Sequence, residues 1–478
     1  MNNQTRSAVE TPTRKAGAAG LGFRVFTVAL VTTFTSIGLS GISSVYPTGT
    51  TIYHPGKAWN GYTVFITPET EGVILIDMNG TVVKHWTGFN GAAGGPARVL
   101  PGGSVIAGAG AGAPHQEAPA LVQQDWSGRE VWRFDHADLI TGDGAMTWSA
   151  RQHHDWQRSD MPAGYYAPGM PADTSATRML VVSHKNITKL DISDRVLEDD
   201  RLIEISADGK VLWEWLASDH VDELGFAPEA RDVIRRAIGF SDARGSYDWL
   251  HINAAAYVGP NRWFDAGDMR FAPDNVIISS REASIIAIVG RDGHIVWRMG
   301  PDYRQSDALR KLGQIIGQHN PHIVPAGLPG AGNLLVFDNG GASGYGFANA
   351  AAPDGRNSLS RGHSRVLEVN PVTLAQVWEY SIAGNESYRF FSHYVSGAQR
   401  LANGNTMITE GADGRIFEVT PSREIVWEYV SPYFTRNGAS NRVYRAYRVP
   451  YDWIPQLPKP MERSVTSPPA ADFRIQPR

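Results

Sequence analysis

The sequence predicts an all-β fold, a six-bladed β-propeller with helical insertions. Three observations carry that prediction: a Trp-ended hairpin phrase that occurs six times, spacings long enough for four strands per unit, and a composition rich in turn formers. The 478 residues include 50 Gly, 29 Pro and 14 Trp, a supply that suits many short strands joined by turns better than a helical bundle. Hydrophobic residues make up 42% and charged residues 19%, enough to bury a sizeable core. Lys+Arg 44 against Asp+Glu 48 leaves a formal charge of −4, without the excess of base a nucleic-acid partner would need. Cysteine is absent, which excludes disulfides, thiolate zinc sites, iron–sulfur clusters, a Cys nucleophile and a lipobox anchor.

Residues 1–47 read as an address. Arg14, Lys15 and Arg24 precede a charge-free run over 25–45, long enough to span a bilayer although rich in Thr and Ser. The alternative is a secretory signal with small residues (Ser40, Gly41, Ser43, Ser44) near a cut. Gly and Ser crowd the second half of the run, which argues against a buried core helix. Either live reading exports the rest of the chain, to the periplasm or beyond. The anchor reading also holds it at a membrane through residues 25–45. Cleaved signal and retained anchor both stay open.

Residues 48–478 carry the repeat. A turn, one or two β-branched residues and Trp recur at Trp86, Trp132, Trp213, Trp297, Trp378 and Trp427, at intervals of 46, 81, 84, 81 and 49. A strand-like run precedes each turn, as in GVILID (72–77) and RIFEVT (415–420), and the Asn-Gly and Asp-Gly turns are strong hairpin signals. A second phrase lies upstream: 98–108, 177–183, 274–280, 332–338 and 404–410. The long intervals require inserts, and two look helical, over 222–240 and 305–317. The recurring Trp residues read as packing between blades. Ring closure is expected to complete the last sheet with a strand from the other end of the chain, with 63–67 and 441–449 as candidates.

Just before the second phrase lies the innermost strand of each unit, and there histidine concentrates. Of 14 His, six fall in QHHDW (His153, His154), DWLHINA (His251, with Asn253), GQHNPHI (His319, Asn320, His322) and FFSHYVSG (His393). Equivalent positions in four blades would converge on one mouth of the channel, and Arg281, following strand NVIISS, could return there. Converging imidazoles suit a metal, acid–base work or a nucleophile. HExxH, GxSxG and GxxxxGK[ST] are absent, Gly108-Ala-Gly110-Ala-Gly112 is too generic for a phosphate cradle, and Asp155 is the one obvious carboxylate neighbour. His, Arg and Asn remain, a set suited to holding an anion and passing a group through histidine.

The run 61–86, then HHD, DWLHIN, ISSR, GQHNPHIVPAG and LLVFDNG, together resemble the bacterial arylsulfate sulfotransferases. These are six-bladed propellers independent of phosphoadenosine phosphosulfate. The resemblance runs from about Gly61 to the segment 443–453. It implies transfer of a sulfuryl group from a phenolic sulfate to an active-site His and then to an acceptor phenol, with no metal and no organic cofactor. Carried onto this chain, His319 is the sulfohistidine of the QH motif, His251 and Asn253 the HxN pair, and Arg281 the SSR arginine. His153 or His154 comes from HHD. Arg281 and Asn253 would then hold the sulfuryl oxygens, and His251 or the His153/His154 pair would move the proton. Asn320, His322 and His393 are candidates for substrate binding; His393 has no counterpart in the family motifs, and His322 and His393 read equally as packing residues. Trp156, Trp249 and Phe390 or Phe391 are candidate walls for the phenol ring, and equally candidate core residues. The family's best-known members carry an extra β-rich domain and a disulfide. Here about a dozen residues separate the apolar run from the first blade, and Cys is absent. An exported, non-catalytic binding scaffold and a metal-dependent hydrolase on the same fold are the other two readings open to these residues.

Overall fold

The computed structural model describes residues 47–466 except 70, 92–93, 111–116, 143–144, 171–177, 238–244 and 347, all within the compact unit Ser40–Arg478. The apolar run 25–45 lies outside the described residues. Among those described, no helix is long and apolar enough to cross a membrane.

Six four-stranded antiparallel units make a six-bladed β-propeller. Blade 2 is built from Arg98–Val99, Val105–Ala109, Ala120–Gln124 and Glu130–Phe134. Blade 3 runs Gln152–Arg158, Arg178–Ile187, Leu197–Ser206, Val211–Leu216, and blade 4 Ile252–Tyr257, Val276–Ser280, Ile285–Val289, Ile295–Met299. Blade 5 follows with His319–Ile323, Leu334–Asp338, Arg365–Val369, Gln376–Tyr380. Second strands such as Val276–Ser280 and Leu334–Asp338 are buried throughout, because neighbouring blades cover both faces of each sheet.

Closure differs from the sequence expectation. Blade 1 (Tyr62–Ile66, Val73–Ile76, Val82–Trp86) takes its innermost strand, Ala446–Val449, from the far end of the chain. It is therefore the first sheet, not the last, that is completed by its other end. Blade 6 (Gly397–Arg400, Thr406–Glu410, Arg415–Val419, Ile425–Val430) gains a fifth strand, Gly49–Tyr53, on its outer edge. That strand covers backbone groups that would otherwise form an open edge.

The six phrase tryptophans all stand on the fourth strands, and each donates its indole N–H to a turn carbonyl of the next blade. Trp86 bonds Asp125, Trp132 bonds Ala207 and Trp213 bonds Arg291, at 3.1, 3.0 and 3.2 Å. Trp297 bonds Pro371, Trp378 bonds Pro421 and Trp427 bonds Met78, at 2.9, 2.9 and 2.8 Å, the last closing the ring. The turns take a left-handed residue: Gly80, Gly128, Gly209 and Gly293 in blades 1–4, but Leu374 and Arg423 in blades 5 and 6. A residue with a Cβ there costs about 1 kcal/mol.

Both helical inserts exist in shorter form, Pro228–Arg235 and Asp307–Leu312, the second capped by Ser306 Oγ accepting from Leu309 N. Two hairpins were not foreseen. Ala137–Gly142 with Ala145–Ala150 separates blades 2 and 3, and Ala342–Tyr345 with Arg356–Ser360 interrupts blade 5.

Candidate functional site

Antiparallel pairing puts the start of each innermost strand beside the end of the second, so loops between second and third strands open on the same mouth. This brings Arg281 back as expected: its backbone N–H bonds the His251 carbonyl at 3.1 Å. Asn339 occupies the corresponding loop of blade 5, just after Leu334–Asp338.

The entrance to the innermost strand has one local conformation in blades 3–6. A residue with φ between 51° and 54° stands there: His154, His251, Asn320 and Val395. In blades 3, 4 and 5 a register shift accompanies it. A bulge of this kind re-aims side chains, at a cost, and such strain gathers at functional sites. It also sorts the histidines. His154 and His251 are equivalent, both left-handed; His153 and His319 are equivalent, one residue earlier. His393 is equivalent to Gln152 and Gln318. The sequence treated these histidines as one register; they occupy three, and His393 lies before its strand, Gly397–Arg400.

His319 is buried, and its Nδ1 faces two acceptors, Asn339 Oδ1 at 2.8 Å and the Gly317 carbonyl at 3.1 Å. Asn339 cannot flip, because its Nδ2 donates to the Ser392 and Val395 carbonyls at 2.7 and 3.0 Å. Nδ1 therefore carries the proton and Nε2 the lone pair. Burial holds the imidazole well below its ordinary value, with the charges of Arg281, Arg445 and His251 acting in the same direction. A neutral, Nε2-nucleophilic histidine results.

His251 donates from Nδ1 to Asp248 Oδ2 at 2.5 Å, a carboxylate–imidazole pair. His154 meets the His251 ring edge-on at 4.7 Å between centroids, and its Nδ1 lies 2.7 Å from Nδ1 of His153. His153 turns the other way, stacking on His184 at 3.6 Å inside blade 3. Arg281 pairs through Nη1 with Glu282, while Nε and Nη2 have no protein partner among the described residues. His393 stands half-buried; burial and the Arg281 charge lower its pKa.

Other expected residues turn inward. Asn253 is fully buried and its Nδ2 donates to the Gln318 carbonyl at 2.8 Å, bracing the backbone just before His319. His322 donates from Nδ1 to the Asn320 carbonyl and accepts at Nε2 from the Tyr165 hydroxyl, at 3.0 and 2.9 Å, and burial lowers its pKa to about 4. Asn320 Oδ1 accepts from Ala398 N at 3.3 Å. Trp156, Trp249 and Phe390 are core residues; Phe391 is partly exposed and stays a wall candidate, and the structure adds Tyr394, also partly exposed, on the other side of His393.

Sequence reasoning missed the two blades with no histidine in or just before their innermost strands. Blade 1 supplies Arg445, whose Nη1 bonds Asp155 Oδ2 at 2.8 Å and whose Nη2 bonds the Asn253 carbonyl at 2.9 Å. Blade 2 supplies Arg98, bonded to Asp155 Oδ1 at 2.9 Å. Asp155 thus ties two arginines across the channel. The signal was present in NRVYRAYRV, read as a closing strand but not as an innermost one.

The fold and this mouth define a propeller with a histidine–arginine site suited to an anionic group. The family model for arylsulfotransferases (ASST) matches residues 170–432, more than half of the chain, and the protein belongs to that family. The match includes His251, Asn253, Arg281, His319 and His393 and stops short of His153 and His154, a narrower span than the resemblance read from the motifs. No curated protein matches the chain. Among solved structures, a Bacteroides caccae protein of unknown function is similar at 10% identity, covering 82% of this chain and 99% of its own, with TM-score 0.43. A catalytically inactive virginiamycin B lyase from Staphylococcus aureus is similar at 10% identity, covering 80% and 88%, with TM-score 0.34.

Proposed function

We propose that the protein is an arylsulfate sulfotransferase that works in two half-reactions through a sulfohistidine at His319. The observation that carries this reading is the Asn339 lock, which leaves Nε2 of a neutral imidazole as the nucleophile. In the first step Nε2 attacks sulfur, the S–O bond to the aryl oxygen breaks, and the leaving phenolate takes a proton. In the second, the acceptor phenol's oxygen attacks sulfur, the N–S bond breaks, and the lone pair returns to Nε2. His251, backed by Asp248, or His154 beside it gives the proton first and recovers it from the acceptor. Arg281 holds the sulfuryl oxygens with a planar fork. Because little covalent rearrangement is needed, positioning and charge dominate. Asn253 acts by bracing Gln318 rather than by touching the sulfuryl group.

Substrates in this reading are a phenolic sulfate donor and a phenolic acceptor, with His393, Phe391 and Tyr394 beside the ring. The chain works outside the cytoplasm, led there by Arg24 and the charge-free run 25–45. Incubation with an aryl sulfate alone, followed by rapid quench and peptide mass spectrometry, tests the mechanism: one added SO3 is expected on the peptide holding His319. Label on His251 or His393, or hydrolysis with no transfer to a second phenol, would overturn it. Fractionation with N-terminal sequencing tests export; intact protein confined to the cytosol would refute it.

A further inference from the structure

Where blade 3 meets blade 4, at the outer edge of the ring, two imidazoles and a carboxylate face one another. His220 ends the short 3₁₀ turn Ala217–His220 that follows the last strand of blade 3, and Glu223 comes three residues later. His294 stands in the turn before Ile295–Met299 of blade 4. Each of the three offers one donor atom within 4.8 Å of the other two. Both imidazoles present the same nitrogen to the same oxygen: Nδ1 lies 2.8 Å from Glu223 Oε1 in His220 and 3.3 Å in His294. We infer that His220, Glu223 and His294 bind a divalent transition metal of the zinc class, with water in the fourth position.

The ring geometry admits one ion between them. The two imidazole planes cross at 86°, with centroids 6.2 Å apart. With Zn–N of about 2.1 Å, two imidazoles on one tetrahedral ion hold their centroids roughly 5 Å apart, so a closure of about 1 Å seats it. The ion takes the place of the two Nδ1 protons, and the ring protons move to Nε2. The contacts that orient the ligands lie elsewhere and are kept. Glu223 Oε2 accepts from Ile295 N at 2.7 Å, which turns Oε1 toward the histidines. His220 lies on Trp215, 15° from parallel at 5.3 Å, and the Trp215 indole is itself fixed by donating to the Gly293 carbonyl at 2.9 Å. His294 donates its backbone N–H to Asp292 Oδ1 at 3.1 Å. Two ligands are therefore oriented before an ion arrives, and only the His294 side chain, 70% exposed, has to be ordered.

The ligands sit at the root of the helical insert. Phe226, three residues past Glu223, packs against Trp249 and Tyr345, at 6.3 and 6.1 Å between ring centroids. The ion pins that root to blade 4. This is a structural role, separate from the sulfuryl chemistry and independent of it.

The test uses the untagged full chain, stripped with a chelator, re-equilibrated with Zn²⁺, desalted and measured by elemental mass spectrometry, with no turnover involved. About one zinc per chain is expected, and added zinc should raise the thermal midpoint. His220→Gln, Glu223→Gln and His294→Gln should each lose both the retained zinc and the rise. Glu223→Gln keeps an acceptor for Ile295 N while removing the charge. His85→Gln, which removes an exposed imidazole on blade 1, should change neither. A wild-type chain that retains no zinc would overturn the proposal and leave Glu223 as an acceptor shared by two imidazoles. Zinc retained in a folded Glu223→Gln variant, or lost in His85→Gln, would overturn it in favour of binding elsewhere. Circular dichroism identifies any variant that fails to fold; His294→Gln, altered at an exposed side chain, decides in that case, and zinc retained there would equally overturn the site.

Discussion

At the outer edge of the ring, six tryptophans make one hydrogen bond six times, whereas at the inner mouth successive blades deliver different side chains from nearly the same backbone. Blades 3 to 5 carry His154, His251 and His319 there, and blades 1 and 2 carry Arg445 and Arg98. The outer positions all do the same work, joining one sheet to the next, so the repeat survives there. The inner positions of blades 3–6 share a left-handed entrance but not a task. Neither residue type nor position within the repeat therefore fixes the role by itself. His319 and His153 are equivalent, yet one is locked by Asn339 facing the mouth and the other is stacked on His184 inside a blade.

The contrast is broken most severely at His319. His319→Ala should lower transfer by at least ~10⁴-fold with folding intact, since the removed group is a nucleophile and not a packing element. His319→Asn should be as inactive, keeping a polar group but no imidazole. Near-normal turnover of either in a steady-state assay would remove His319 from the chemistry. Next comes Arg281→Lys, which keeps the charge and loses the fork; a fall of about 10²-fold in kcat is expected. An unchanged kcat with raised KM would make Arg281 a donor-binding residue only.

The outer repeat was legible because turn, β-branched residue and Trp are neighbours in the chain, and their spacing reports the blade directly. The concentration of histidine at innermost strands was legible for the same reason. What stayed hidden depends on pairing across distance. Asn339 lies 20 residues after His319 and meets it only because a hairpin's worth of strand returns to the mouth. Asp155 meets Arg445 across 290 residues, through ring closure. The inward turn of Asn253 and His322 was equally invisible, since residue type cannot say on which side of a bulge a side chain emerges.

His322 separates a buried structural histidine from a reactive one. Its pKa lies near 4 in the folded chain against 6.5 unfolded, so the unfolded chain binds the proton more readily. Its contribution is full above about pH 6.5 and is lost as pH falls toward 4, roughly 3 kcal/mol in all. His319, also lowered by burial, adds a loss of the same sign. Denaturation midpoints measured from pH 7 to 4 should fall accordingly. His322→Gln should flatten much of the slope while leaving that of His319; an unchanged slope would mean that His322 is not neutral and buried.

The smallest effect tests whether the outer ring is as uniform as its hydrogen bonds suggest. Trp427 closes the ring, is fully buried, bonds Met78 of blade 1 and carries the Arg448 guanidinium 4.2 Å above its ring. Trp132 makes the same bond to Ala207 from a partly exposed position inside the run of the chain. Phenylalanine at either site keeps an aromatic ring and deletes the indole donor. A buried hydrogen bond is worth about 1 kcal/mol net, and the carbonyl left behind can find water more easily at the exposed site. Trp427→Phe should therefore lower stability by about 1 to 2 kcal/mol and Trp132→Phe by a few tenths, read as shifts in urea midpoint at constant m. The closing seam also joins strands from opposite ends of the chain, so its loss opens two blades at once. Equal shifts would mean that closure adds nothing to the repeated bond, and that blade 1 is held by its Ala446–Val449 strand alone.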